Sequence, residues 1–113
     1  MSVQVSLLNE FQRRLKRLAR KFRTLDDEID QLVDALETTP HQGDSLGGGL
    51  YKIRLGSASK GGGKRGGFRV ITYYVEQTAE GEVVYLVTIY DKSEEANILK
   101  ADLLNTIQTE LGQ

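Results

Sequence analysis

The spacing of apolar and polar positions changes several times along this chain, and each change predicts a different element. Val3, Val5 and Leu7 alternate with polar residues, a period of two that predicts a short first strand, and Asn9 is placed to cap the helix that follows. Phe11, Leu15, Leu18 and Phe22 recur at three and four residues, the single apolar stripe of an amphipathic helix. Thr24 before Leu25, Asp26 and Asp27 reads as a capping box with acids in the first turn of a second helix. That helix carries Leu25, Ile29, Leu32, Val33 and Leu36, and Pro40 closes it. Two helices joined by about two residues should fold back as a helical hairpin.

From His41 to Gly49 the pattern is that of a loop, ending in three glycines. Tyr51, Ile53 and Leu55 then alternate with Lys52 and Arg54, which puts the two cations on one face of a strand and the apolar side chains on the other. Phe68 to Val75 and Glu82 to Tyr90 are rich in β-branched and aromatic residues around a short polar turn, and they predict an antiparallel pair. Helical spacing returns with Ile98, Leu99, Leu103, Leu104, Ile107 and Leu111. The predicted order is strand, two helices, three strands, helix.

At 113 residues this is one domain, spanning 1–113, with the 39% hydrophobic and 27% charged content of a soluble globular protein. No apolar run approaches the roughly 20 residues needed to span a bilayer. The opening residues also lack the layout of a signal peptide, so no membrane partner and a cytoplasmic location are expected. Without cysteine, and with His41 the single histidine, a metal site or other cofactor is not expected. His41, after Pro40 in a polar loop, reads as a surface residue. Asp91, Glu94 and Glu95 read as capping and solvated acids.

The net charge of −1 hides a sorting of charge into blocks. Phe11 to Arg23 holds seven basic residues and no acid, and Thr24 to Asp44 holds seven acids and no base. The first basic block therefore has an acidic helix to lie beside. The second block, Lys52 to Arg69, has six basic residues, no acid and no such neighbour. Its positive charge is available to an anionic ligand.

Within that block SASKGGGKRGG, residues 57–67, holds five glycines and three cations. It is not a Walker loop, because Ala58 and Arg65 stand where glycine and Ser or Thr are required. Gly61, Gly63 and Gly66 match a dinucleotide fingerprint, but a strand follows them where that motif needs a helix. Two readings remain on spacing alone. One is a flexible hairpin loop kept soluble by its lysines; the other is a mobile grip on a phosphate backbone formed by Lys60, Lys64 and Arg65. Lys52, Arg54 and Arg69 would extend the grip onto the sheet, and tyrosines such as Tyr73 offer rings for stacking on bases.

The string LGGGLYKIRLGSASKGGGKRGGFRVITYYV, followed by VVYLVTIYDKSEEANI, resembles the RelE/ParE toxin superfamily and, within it, the HigB-like branch of RelE toxins. The resemblance implies an α+β, RelE-like fold: an N-terminal strand, a helical hairpin, a curved antiparallel β-sheet and a C-terminal helix. It implies a type II toxin that cleaves mRNA on the ribosome, and a cognate antitoxin, in this branch often a helix-turn-helix protein. By position, Lys52 and Arg54 match cationic residues of the strand after the helices, and Arg69 matches the arginine that contacts the scissile phosphate. Lys60 and Lys64 match loop lysines, and Lys92 a basic catalytic position after the last strand. Ser93 and Leu99 stand where RelE carries an arginine and a late tyrosine, and Gly62 replaces a lysine common in this branch.

Cleavage without metal or histidine needs charge stabilisation and proton transfer. Arg54 and Arg69 suit the first, since a guanidinium is always charged and forks onto phosphate oxygens. Lys52, Lys60 or Lys64, if crowded by other cations, suit the second, with Tyr90 in reserve. Two other functions fit the same residues: a ParE-like inhibitor of DNA gyrase, and an RNA- or ribosome-binding module that does not cleave.

Overall fold

The computed structural model describes residues 3–60, 67–79, 81–94 and 98–112. Along the chain run β1 (Gln4–Leu7), α1 (Asn9–Lys21), α2 (Leu25–Thr38), β2 (Asp44–Gly47), β3 (Leu50–Leu55), β4 (Phe68–Thr78), β5 (Gly81–Asp91) and α3 (Lys100–Leu111). The strands form one five-stranded sheet in the order β1-β5-β4-β3-β2. The pairs β2–β3, β3–β4 and β4–β5 are antiparallel, but β1 pairs parallel with β5, so the sheet is mixed where a wholly antiparallel one was expected. β1 is followed by a helix and not by a strand, and it lies along the far strand β5 at the edge of the sheet.

Period-two patterning divides the core between the two faces of the sheet. One face carries Ile53, Phe68, Val70, Val84, Leu86 and Ile89 and is covered by Phe11, Leu18 and Phe22 of the first helical segment and by Leu25, Ile29 and Leu36 of α2. Phe22 meets Phe68 edge-on, with ring centroids 5.1 Å apart. The other face buries Leu50, Ile71, Val87 and Tyr90 under Leu103 and Ile107 of α3. Each fully buried side chain of this size contributes roughly 1.5–3 kcal/mol by leaving water. Among the described residues no helix is long and apolar enough to cross a membrane.

Three expectations need correction. First, the stretch read as a loop from His41 to Gly49 contains β2, which turns into β3 through Gly47, Gly48 and Gly49, all at positive φ (85°, 65° and 87°). Three consecutive left-handed residues are a conformation only glycine adopts freely.

Second, neither predicted cap forms. Asn9 is already the first residue of α1, and its N–H and that of Glu10 donate to the Glu110 carboxylate at 2.6 and 2.9 Å. The cap comes from α3, a hundred residues away, and not from the local side chain. Thr24 does precede α2, but its backbone is helical and its hydroxyl donates to the Glu28 carboxylate at 3.0 Å instead of accepting from the helix.

Third, the basic first helix does not neutralise itself on the acidic second one. Among the described residues its ion pairs join Arg13 and Arg14 to Glu10 and Arg17 to Glu94, the last at 3.9 Å. α1 and α2 meet through their apolar stripes.

Candidate nucleic-acid interface

The ladder register assembles the site. Arg54 of β3 stands opposite Arg69 of β4, and Arg69 stands opposite Tyr90 of β5, so the three form one row across three strands. Residues in register share a face, here the α3 face, as the burial of Ile71 and Tyr90 against Leu103 shows. Arg54 is exposed, whereas Arg69 is buried at 4% and its Nη1 donates to the Phe68 carbonyl at 3.2 Å. Lys52 lies two residues before Arg54 on the same face, half-buried, opposite Ile71 on one side and Asp44 of β2 on the other. The structure thus places Lys52 and Arg54, expected on one face of a single strand, beside Arg69 and Tyr90 of the next two strands.

Tyr90 is 1% exposed and packs in the α3 cluster, so its ring is core. Tyr73, expected as a stacking platform for bases, is half-buried under the same cluster and lies against Tyr85 with centroids 6.2 Å apart. It is four residues along β4 from Arg69, about 13 Å in an extended strand. His41 is exposed, as expected, with its ring against Tyr74 at 4.2 Å. Tyr74 donates in turn to the Glu82 carboxylate, which pushes the phenol up to about 12.

The loop after β3 begins as a fixed stem. Ser59 and Thr24 bond each other three times, Thr24 N–H to the Ser59 hydroxyl at 2.7 Å, Ser59 N–H to Thr24 Oγ1 at 3.0 Å, and hydroxyl to hydroxyl. The Ala58 N–H donates to Glu28 at 2.8 Å. Lys60 Nζ lies 3.0 Å from Asp91 Oδ1. Among the described residues the ionic partner of Lys60 is therefore a carboxylate. At the far side Gly67 is packed so tightly that a Cβ there would stand 2.1 Å from the Leu55 carbonyl oxygen. Lys64, Arg65, Gly62 and Glu95 lie outside the described residues.

Asp91, expected as a cap or solvated acid, lies at the end of β5 next to Tyr90 of the row. It is buried, and its Oδ1 also accepts from the Ser93 N–H and hydroxyl at 2.9 and 2.8 Å. Burial works to raise its pKa, but the Ser93 N–H, the Lys60 ammonium and the Ser93 hydroxyl outweigh it and hold the carboxyl below its ordinary value. Lys92 is exposed beside it and donates its N–H to the Gly67 carbonyl at 3.3 Å. Ser93, where the resemblance expects arginine, thus orients Asp91, and Leu99 is 71% exposed at the start of α3. Thr24, Glu28 and Asp91 were invisible as site residues because each acts through a contact made across the fold.

Similarity to known proteins agrees with this arrangement. A solved structure of a mutant of the E. coli toxin RelE in the free state superposes on this chain with a TM-score of 0.56, covering 85% of this chain and 90% of that one at 16% sequence identity. At that identity the likeness speaks for the fold. The family model described as the RelE toxin of the RelE/RelB toxin-antitoxin system matches residues 11–110, from the first core residue of α1 to the Glu110 that caps it. That span holds most of both core clusters and the whole arginine row, and the chain belongs to the RelE toxin family.

Proposed function

We propose that this protein is the toxin of a type II toxin-antitoxin pair and cleaves mRNA on the ribosome, with the row Arg54–Arg69–Tyr90 at the scissile phosphate. The observation that carries the reading is the pairing of two arginines directly opposite each other. Two guanidinium groups held in register on one face match the oxygens of a phosphodiester and would offset its charge.

The chemistry this supports is attack of a ribose 2′-oxygen on the adjacent phosphorus. The P–O5′ bond breaks, leaving a 2′,3′-cyclic phosphate on one fragment and a 5′-hydroxyl on the other. Arg54 and Arg69 stabilise the charge that gathers on the phosphoryl oxygens in the transition state. Proton transfer falls to lysines: Lys52 shares the face of the row, and Lys92 follows Asp91 at its β5 end. Lys60 reaches the reaction only by leaving Asp91, and the Tyr90 hydroxyl only from a buried ring. Lys64 and Arg65 add positive charge for the RNA backbone. The HigB-like motifs Tyr51-Lys-Ile-Arg54 and Thr88-Ile-Tyr-Asp-Lys-Ser-Glu94 support a helix-turn-helix antitoxin as partner, in the cytoplasm.

The test is cleavage of a defined mRNA on translating ribosomes, mapped by primer extension. Arg69→Ala is expected to slow cleavage by about 10²–10³, the usual loss on removing one donor to a developing oxyanion. Undiminished cleavage by folded Arg69→Ala would remove the row from the chemistry.

A further inference from the structure

The glycine-rich loop leaves β3 and returns as β4, and both of its ends are fastened to the same short piece of chain, the end of β5. At the outgoing end the Lys60 side chain, 14% exposed, reaches Asp91, 3% exposed. At the returning end the Gly67 carbonyl accepts from Lys92, and Phe68 pairs with Asp91 in the ladder. The next register pair is Arg69 and Tyr90, so Asp91 adjoins the arginine row. The outgoing end is also held from behind by Thr24 and Glu28 of the α2 start.

We propose that Asp91 is a positioning residue for RNA binding: its buried carboxylate, oriented by Ser93, holds Lys60 and thereby fixes the loop stem beside Arg54 and Arg69. The inference rests on the RNA-cleaving reading above and assigns a role to a residue that touches no substrate in it. The geometry separates this pair from an ordinary surface ion pair. Exposed pairs contribute little, because water screens them and both side chains must be ordered to make them. Here both partners are shielded, one carboxylate oxygen serves three donors, and Ser93 fixes that oxygen before Lys60 arrives. A stem held in advance spares the RNA the cost of ordering it. The described contacts of the Asp91 carboxylate go to Ser93 and Lys60, so its loss is expected to weaken binding and leave the chemical step alone.

The experiment compares the wild type with Asp91→Asn, Lys60→Met and the double variant, measuring co-sedimentation with purified ribosomes and mRNA cleavage across ribosome concentrations. Asp91→Asn keeps the size of the side chain and an acceptor for Ser93 but removes the charge that holds Lys60. It is expected to raise the half-saturating ribosome concentration about tenfold with kcat within about twofold of wild type. Lys60→Met is expected to raise the half-saturating ribosome concentration by a similar factor, and the double variant to raise it no further than either, because the two act as one unit. Faster amide exchange at residues 58–60 in Asp91→Asn, with α1 unchanged, would locate the effect in the stem. If Asp91→Asn does not fold, Ser93→Ala replaces it, with an expected two- to threefold rise from the loss of one hydrogen bond.

A lower Tm with unaltered ribosome affinity would assign Asp91 to stability alone and overturn the proposal. So would losses that multiply in the double variant. If the wild type bound ribosomes with this pattern of affinities yet left mRNA intact, the nuclease reading would fall and the role of Asp91 would stand.

Discussion

Arg54 and Arg69 oppose each other across β3 and β4, and like charges directly opposite in a sheet disfavour each other by a fraction of about 1 kcal/mol. Relieving this repulsion separates stability from activity. Arg54→Thr, which puts a strand-favouring residue at an exposed position, is expected to raise stability by about 0.5 kcal/mol in urea denaturation while lowering cleavage at least tenfold. Asp91 gives a second prediction at this scale. Its folded pKa lies below the ordinary value of 3.8, so the folded state binds this proton less readily than the unfolded chain does. Its stabilisation is therefore fully present above that ordinary value and is lost as pH falls through the lowered one. Thermal denaturation between pH 7 and pH 2.5 should show a drop in Tm below pH 4, reduced in Asp91→Asn; an equal drop in both would assign the acid sensitivity to other carboxylates. These residues differ in legibility. Arg54 and Arg69 were readable as cations on strands, while Asp91 looked like one more acid in an acid-rich tail, because its partner lies thirty-one positions back and only the register brings the two together.

At the scale of elements, the helices end where the tertiary structure caps them. Glu110 of α3 accepts from the first two N–H groups of α1, placing a carboxylate at the positive end of the helix dipole. Glu110→Ala should cost about 1 kcal/mol, the usual value of an N-cap, and should increase amide exchange at both the start of α1 and the end of α3. Loss confined to α3 would mean that α1 is held by its packing alone. The joint between loop and β4 is stricter. Gly67→Ala forces a methyl group against the Leu55 carbonyl and is expected to destabilise by roughly 2–4 kcal/mol, as measured by chemical denaturation. The elements themselves were legible from period, since Phe11, Leu18 and Phe22, or Tyr51, Ile53 and Leu55, can bury one face only in the expected conformation. β2 was not, because Asp44-Ser-Leu-Gly has no period of its own and becomes a strand by pairing with Tyr51 and Lys52. The caps failed for a related reason: Asn9 and Thr24 have the right chemistry, but Glu110 and Ser59 compete for the same groups.

For the whole molecule, the net charge of −1 says little, because the positive charge lies on particular surfaces. Ribosome affinity should fall steeply with salt, with a log–log slope near the number of phosphates engaged, at about 0.7 per contact for single-stranded RNA. A flat dependence between 50 and 200 mM salt would deny the basic row a role in binding. By itself the sequence determined the three helices, four of the five strands and the cations available to an anion, since all of these follow from local spacing and side-chain chemistry. Only the tertiary structure decided that β1 runs parallel beside β5, that Arg54, Arg69 and Tyr90 fall in one row, and that Lys60 belongs to Asp91. Those are relations between residues far apart in the chain. A one-residue slip in register would send every side chain of a strand to the opposite face, and what fixes the register is the packing of both faces at once.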